Sequence, residues 1–286
     1  MAGNTLITPT NVAKAALATY QYSAVLPRLV NRNYVTEFGG GSGDTVTIRK
    51  QAKLTTNKFV RTTGIVVQDV TEGSVQLQVG DIYDASVVIT QEQWDLDLES
   101  FSYQIAEPMG KAMVRTSEEV IYGAFPTVEN IGVDADAVDA AADLRADLTA
   151  GEVPADNRVL IVGSDVTTKL LKNDHLINVN QSGSNDTLRN ARIGRLFGMD
   201  VYESVVVGAD EMFAMHRDAV TFVSITPQLP RGASNAAVQT FDSQAFRVVF
   251  DYDVAKKQDT VSGDAYLTAK EIRPEAISGV AFAAAG

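Results

Sequence analysis

Between Asp44 and Thr90 the chain alternates polar and apolar residues without gathering a core of its own. Val46 and Ile48 alternate with Thr and Arg, Val75, Leu77 and Val79 with polar residues, and Ala85, Val87 and Ile89 do the same. Period-two alternation marks strands. The stretch Gln51–Thr63 between them is polar and basic, with Lys50, Lys53, Lys58 and Arg61 in or beside it. It buries little of itself, so residues 44–89 read as a long hairpin-like excursion. Two strands alone are barely stable in water, so a neighbour must order them. Just before it runs Gly39-Gly40-Gly41-Ser42-Gly43. This segment lacks the Gly-Lys-Ser/Thr of a phosphate loop and the spacing of a dinucleotide loop, so it reads as a hinge.

At Thr90 the period changes again. Thr90 and Gln93 fit a capping box, and Ile89 with Trp94 fits the hydrophobic staple around it. Trp94, Leu98, Phe101, Ile105, Met109 and then Ala112 or Met113 form an apolar stripe over about five turns. Pro108 should kink this helix, which should stop near Gly123. Upstream, Thr8 and Pro9 signal a short helix. Downstream, Asp134 and Asp136 open an Ala-rich helix that ends before Gly151. Arg158–Val162 reads as a buried strand, followed by a helix capped by Ser164. Residues 173–190 read as loop, and strands follow around 201–205, 212–215 and 220–225. Thr226–Gln239 reads as loop, then 240–253 and 264–273 as strands. The sum is an α+β chain with two long extensions and no internal repeat. Extensions without a core suit a protein that packs against copies of itself.

Composition narrows the function. Lys and Arg total 24 against 36 Asp and Glu, a net charge of −12. That disfavours a general nucleic-acid binder or a protein docking on anionic membranes. With no cysteine, thiolate metal sites, iron–sulfur clusters, disulfides and cysteine nucleophiles are excluded. No secretory leader and no transmembrane run are expected. The only histidines, His175 and His216, are too far apart for a local metal motif. Elbow-type serine nucleophile motifs and zinc-protease motifs are absent from the sequence. Three Asp-x-Asp pairs, Asp95/Asp97, Asp134/Asp136 and Asp251/Asp253, could hold a divalent cation. The first two pairs sit where carboxylates favour a helix start. No catalytic, cofactor or metal residue is assigned. Lys50, Lys53, Lys58 and Arg61, in so acidic a chain, are candidates for contact with an acidic face of a neighbouring copy.

The order of parts resembles the major capsid proteins of tailed bacteriophages, with their Hong Kong 97-type fold. Asn31-Arg32-Asn33-Tyr34, Phe38-Gly39-Gly40 and Gly43-Asp44-Thr45-Val46 are similar to the start of P-twenty-two-type coat proteins. Ile193-Gly194-Arg195-Leu196-Phe197-Gly198-Met199-Asp200-Val201-Tyr202-Glu203-Ser204 resembles a phrase of the axial domain, with His216 and Ala219 following. The resemblance implies an N-terminal arm at 1–43 and an extended loop at 44–89. It implies a peripheral domain with its spine helix at 90–132, an axial domain at 133–240 and a peripheral return at 241–286. The chain is too short for the inserted domain of the P-twenty-two-type coat. Its first 43 residues are too short for a cleaved scaffolding segment, which implies a separate scaffolding protein. The Hong Kong 97 phage crosslinks a loop Lys to a neighbour's Asn; Lys50, Lys53 and Lys58 lie in the matching region, but none of them is aligned to that role.

The function so implied is a major capsid protein: a structural homo-oligomer of hexamers and pentamers in an icosahedral phage head, assembled in the bacterial host's cytoplasm. Its implied partners are a scaffolding protein, a portal and, in some heads, a decoration protein. Packaged double-stranded DNA would be touched weakly and without sequence preference, and no membrane or cofactor is involved. Gly39, Gly40, Gly41 and Gly43, together with Pro108, would be the hinges that fit one sequence to two capsomer geometries. Two alternatives stand beside it. One is an encapsulin-like compartment around a protein cargo. The other is a metal-dependent enzyme using Asp251 and Asp253.

Overall fold

The computed structural model describes residues 13, 24–38, 45–50, 52, 54–62, 64, 65, 67–70, 72–93, 102–173, 194–229, 235–241 and 244–283. In chain order the elements begin with α1 (Leu26–Leu29), α2 (Val35–Phe38), β1 (Thr45–Arg49), β2 (Ser74–Gln78) and β3 (Ile82–Thr90). A π-helical segment (Ser102–Ala106), α3 (Glu107–Tyr122), β4 (Glu129–Asn130), α4 (Ala137–Ala150), β5 (Arg158–Val162) and α5 (Ser164–Lys172) follow. Then come β6 (Arg195–Leu196), β7 (Met199–Glu203), β8 (Glu211–His216), β9 (Val220–Ile225) and β10 (Ala236–Phe241). Last are β11 (Gln244–Asp253), β12 (Gln258–Glu271), a 3-10 turn at Pro274–Ala276 and β13 (Ile277–Ala281).

Two sheets carry the body. One runs β4-β13-β8-β5-β7-β6, with β5 in its interior, parallel to β7 and antiparallel to β8. Every residue of β5 is buried, as a continuous Arg-Val-Leu-Ile-Val run requires. The other runs β10-β11-β12-β3, and β9 pairs with the far end of β12. There Ser224 Oγ accepts from the Ala245 amide, which ties β9 to β11. A third, two-stranded ladder joins β1 to β2.

Four sequence readings shift. β3, read as the end of the excursion, pairs with β12 from Ile82↔Tyr266 to Thr90↔Gln258 and so belongs to the body. Its alternate residues Tyr83, Ala85, Val87 and Ile89 pack on the core, and that burial outweighs continuity with the loop. β9 and β10, read within the axial segment, pair in the β12 sheet. Of the 241–286 return, β11 and β12 stay in that sheet, but β13 joins β8 in the other, Ile277 facing Met215. Finally, Gly163 and not Ser164 is the N-cap of α5.

The long helix obeys its local signals where it is described. Thr90 and Gln93 exchange hydrogen bonds, Gln93 N–H to Thr90 Oγ1 at 3.4 Å and Thr90 N–H to Gln93 Oε1 at 3.0 Å. Trp94, Leu98 and Phe101 lie outside the described residues. Pro108 sits in the first turn of α3, directly after the π-helical segment. Proline lacks an N–H and its ring crowds the carbonyl four residues back, and the wider π turns take up that mismatch. Met109, Met113, Ser117 and Ile121 form the buried stripe, so Met113 rather than Ala112 continues it. Met109 seats the helix on β12 at Gly263, where a Cβ would stand 2.8 Å from Met109 Cε and 2.4 Å from Phe246 Cζ. At the end of α3 the Gly123 N–H reaches the Glu119 carbonyl, where the sequence places the stop.

Asp136 caps α4 by accepting from the Val138 amide at 2.7 Å. The far end of α4 is closed by Arg158 of β5, which is buried. Its guanidinium donates to the carbonyls of Pro154 (2.8 Å) and Val153, to Thr149 Oγ1 (3.0 Å) and to the Arg145 carbonyl (3.5 Å). A cation at a helix C-terminus also meets the negative end of the dipole. Arg158→Ala should cost about 3 kcal/mol in denaturant unfolding of the subunit, because buried acceptors lose a charged donor. Arg158→Lys should recover only part, since one ammonium cannot replace the guanidinium fork.

Candidate assembly surface

The root of the extended loop has a small core. Ile48 of β1 and Leu77 of β2 bury against Val223 of β9 and Ile272, with Tyr34, Val35, Phe38, Val46, Val75 and Ile225 around them. The Lys50 amide donates to the Gly73 carbonyl at 2.7 Å and closes the ladder. Beyond it the limbs are held by side chains. The Gln68 carboxamide accepts from the Thr55 amide at 3.1 Å and donates back to the Thr55 carbonyl, imitating a strand partner. The tip turns at Val60–Gly64, where the Gly64 N–H meets the Val60 carbonyl at 2.9 Å and Gly64 has φ +76°.

Along this loop Leu54, Phe59, Val60, Ile65, Val67 and Val70 are all exposed, Ile65 and Val67 by more than four-fifths. The reading of Gln51–Thr63 as polar and basic therefore misses half of its character. Single exposed apolar residues are ordinary, but six along the limbs beyond that root core make a candidate contact surface. The signal was in the sequence: Phe59-Val60 and Ile65-Val66-Val67 are strand-forming apolar runs.

The structure spreads the basic candidates along the loop. Lys58 and Arg61 are exposed in its outer part. Lys50 stays at the root, where its charge acts on Glu271 and Glu275 of the same chain. Burial pushes the Glu271 carboxyl up and the nearby Glu275 adds to this, against Lys50 and Lys270. At Glu275 burial also pushes up, but its own backbone N–H, Arg273 and Lys50 outweigh it and hold the carboxyl below its usual range. Lys53 and the hinge glycines Gly39, Gly40, Gly41 and Gly43 lie outside the described residues, as do His175, Asp95 and Asp97. His216 is buried in β8, and its Nδ1 accepts from the Asp218 amide at 3.2 Å. Asp253 Oδ1 accepts from the amides of Ala255 (2.9 Å) and Lys256 (3.2 Å), shaping the β11–β12 turn. Among the described residues no three His, Asp or Glu side chains gather as metal ligands, and no helix is long and apolar enough to cross a membrane.

The body that carries the loop is latched where α3 meets β8. The Tyr122 hydroxyl donates to Glu211 Oε2 at 2.5 Å, and its ring packs edge-on to Phe213 and Phe125. Burial, the bond to Glu211 and that carboxylate's charge push the phenol from 10.0 up to about 12. The folded state therefore holds this proton more tightly than the unfolded chain. The latch's contribution is complete below pH 10 and is lost as pH rises to about 12. Tyr122→Phe should remove this part of the alkaline fall in melting temperature.

The family model described as phage capsid protein matches residues 71–263, two-thirds of the chain. The chain belongs to the phage capsid protein family. Many solved structures share its fold, and three of them serve as examples. The Mycobacterium phage Che8 structure is 19% identical with a TM-score of 0.69, covering 90% of this chain and 91% of that one. The capsid of cyanophage P-SCSP1u is 13% identical with a TM-score of 0.65, covering 92% and 89%. A virus-like particle from Pyrococcus furiosus is 12% identical with a TM-score of 0.60, covering 94% and 97%. No curated protein sequence matches the chain. The α+β, Hong Kong 97-type fold and the role of major capsid protein, a structural subunit of the virion shell, follow. The family match also weighs against the encapsulin-like alternative, which fold alone would not do. The match does not reach a P-twenty-two-type subfamily, so that likeness rests on the sequence phrases alone.

Proposed function

We propose that this capsid protein assembles as hexamers and pentamers into an icosahedral head around double-stranded DNA. In this reading residues 1–43 are the arm and residues 45–78 the extended loop, which lies across a neighbouring subunit. The β12 sheet with α3 forms the peripheral body and the β5 sheet the axial one. The observation that carries the reading is the loop itself. Its root is packed on its own subunit, while Phe59, Ile65 and Val67 face solvent. Lys58 and Arg61, exposed on the same arm, would meet acidic surface on the neighbour, since each copy carries a net charge of −12. The same charge keeps contact with DNA weak. The work is structural and needs no catalytic group or cofactor. A scaffolding protein directs assembly, a portal occupies one vertex, and a decoration protein can bind the outer face.

Expression of the chain alone, followed by size-exclusion chromatography and negative-stain electron microscopy, tests this. Shells or capsomer rings are expected, with the scaffolding protein added where the chain alone stays at its 30.7 kDa mass. A subunit that remains single with scaffold present would overturn the reading.

A further inference from the structure

β3 ends the sheet β10-β11-β12-β3 and pairs with β12 alone. Its register runs unbroken from Ile82↔Tyr266 to Thr90↔Gln258, so no bulge interrupts it. Its nine residues include no lysine and no proline, and of the nine only Ile89 is fully buried. A long edge strand without those protections is a template for another strand. On the open face of the sheet Ile82 is 48% and Val88 51% exposed. Between them the Ser86 hydroxyl donates to Asp84 Oδ2 at 3.0 Å and meets Ser262 Oγ at 3.0 Å. The other strands that end the two body sheets are poorer templates. β4 and β6 have two residues each, and β10, Ala-Ala-Val-Gln-Thr-Phe, carries no acid.

The returning limb of the loop has the matching shortage. Ile65-Val66-Val67 is β-branched throughout and strand-forming, and Ile65 and Val67 stand in solvent. Among the described residues, 65–70 make no backbone hydrogen bond, and the first limb reaches them through the Gln68 carboxamide instead of a ladder. Extended backbone carries a donor and an acceptor at every residue, and a ladder is what pairs them once water is excluded. The charges also correspond. Residues 54–70 carry Lys58 and Arg61 against Asp69, whereas β3 has Asp84, with Asp81 just before it, and no base.

We propose that residues 65–70 of a second copy add to the free edge of β3 as a further strand of its sheet. The inference rests on the proposed reading that the loop lies across a neighbour, and it names where the loop lands and how it is held. Within one subunit the limb does not pair with β3, so the partner is another copy. In strand addition the main chain supplies the hold and the alternating side chains supply the selectivity. Ile65 and Val67, two residues apart, share a face of the added strand and lie beside the exposed Ile82 or Val88. Lys58 and Arg61 meet an edge whose charges are Asp81 and Asp84, which favours this edge over β10.

Amide hydrogen exchange in unassembled subunits and in shells tests the pairing. Peptides covering 65–70 and 82–90 should both slow at least about tenfold on assembly. Slowing at 65–70 without slowing at 82–90 overturns the site and leaves the loop reading intact. Slowing at neither, in intact shells, overturns both. A second measurement identifies the partner. The chain has no cysteine, so Val67→Cys and Ser86→Cys subunits carry one thiol each. Mixed, assembled and treated with a short bismaleimide, they should give a covalent dimer that neither variant gives alone. Val67→Cys mixed with Ala236→Cys, on β10, should give none. A dimer with the β10 variant in place of the β3 variant, or no dimer from shells in which 82–90 is slowed, means that something other than the neighbour's limb fills this edge.

Discussion

A triple substitution of Phe59, Ile65 and Val67 by Ser is expected to abolish shells while leaving the melting temperature of the subunit unchanged. The two halves have separate causes. In the subunit these side chains are 63%, 83% and 86% exposed, so shortening them removes almost no packing. Surface changes of this kind stay within about 0.5 kcal/mol. In a shell the same side chains are the loop's means of holding a neighbour, and covering each contributes about 2 kcal/mol. Three together amount to about 6 kcal/mol per subunit, or roughly four powers of ten in each association constant. Because a closed shell repeats that loss at every contact, assembly should disappear at any workable concentration. Sedimentation and electron microscopy would show it; normal shells from the triple variant would mean that the loop does not lie on a neighbour. A deletion should be confined to residues 52–70. Removing 45–88 would also take out β3, which pairs with β12 over its whole length, and would damage the body itself.

Features fixed by neighbours in sequence were the legible ones. The Thr90–Gln93 capping box, the Asp136 cap and the Gly123 stop each depend on hydrogen bonds spanning a few residues. The all-apolar β5 run could only be an interior strand. What the sequence did not disclose is pairing at a distance. The alternation of β3 shows that it is a strand with one buried face, and says nothing about whether that face meets β2 or β12. β13 is a short Ile-Ser-Gly-Val-Ala run, and its place beside β8 depends on the Pro274–Ala276 turn and on the Met212–Met215 ladder it completes. The candidate site divided the same way. A basic cluster is visible as composition, but the separation of Lys50 from Lys58 and Arg61 depends on where the ladder closes, at Gly73.

Glu118→Ala should be among the most damaging changes to the subunit itself, at about 3 kcal/mol, and the reason is a long-range cap. Glu118 projects from the inner face of α3 and is 6% exposed. Its Oε1 accepts the Val25 amide at 2.7 Å and the Leu26 amide at 3.2 Å, from residues more than ninety positions earlier. α1 has no cap from its own N-cap residue, Val25, so this carboxylate takes that part and also faces the positive end of the helix. The segment it holds has a second task. Just past α1, Asn31 bridges to β9, its amide to the Val220 carbonyl and its carbonyl from the Phe222 amide. Loss of Glu118 therefore strands one buried and one half-buried donor and loosens the strand on which the loop root rests. Glu118→Gln keeps one acceptor oxygen of similar reach without the charge, and should cost about half as much. Equal losses for Ala and Gln in denaturant unfolding would mean that charge is the whole effect; no loss for either would mean that residues 24–30 are held by Leu26, Leu29 and Val30 burial alone.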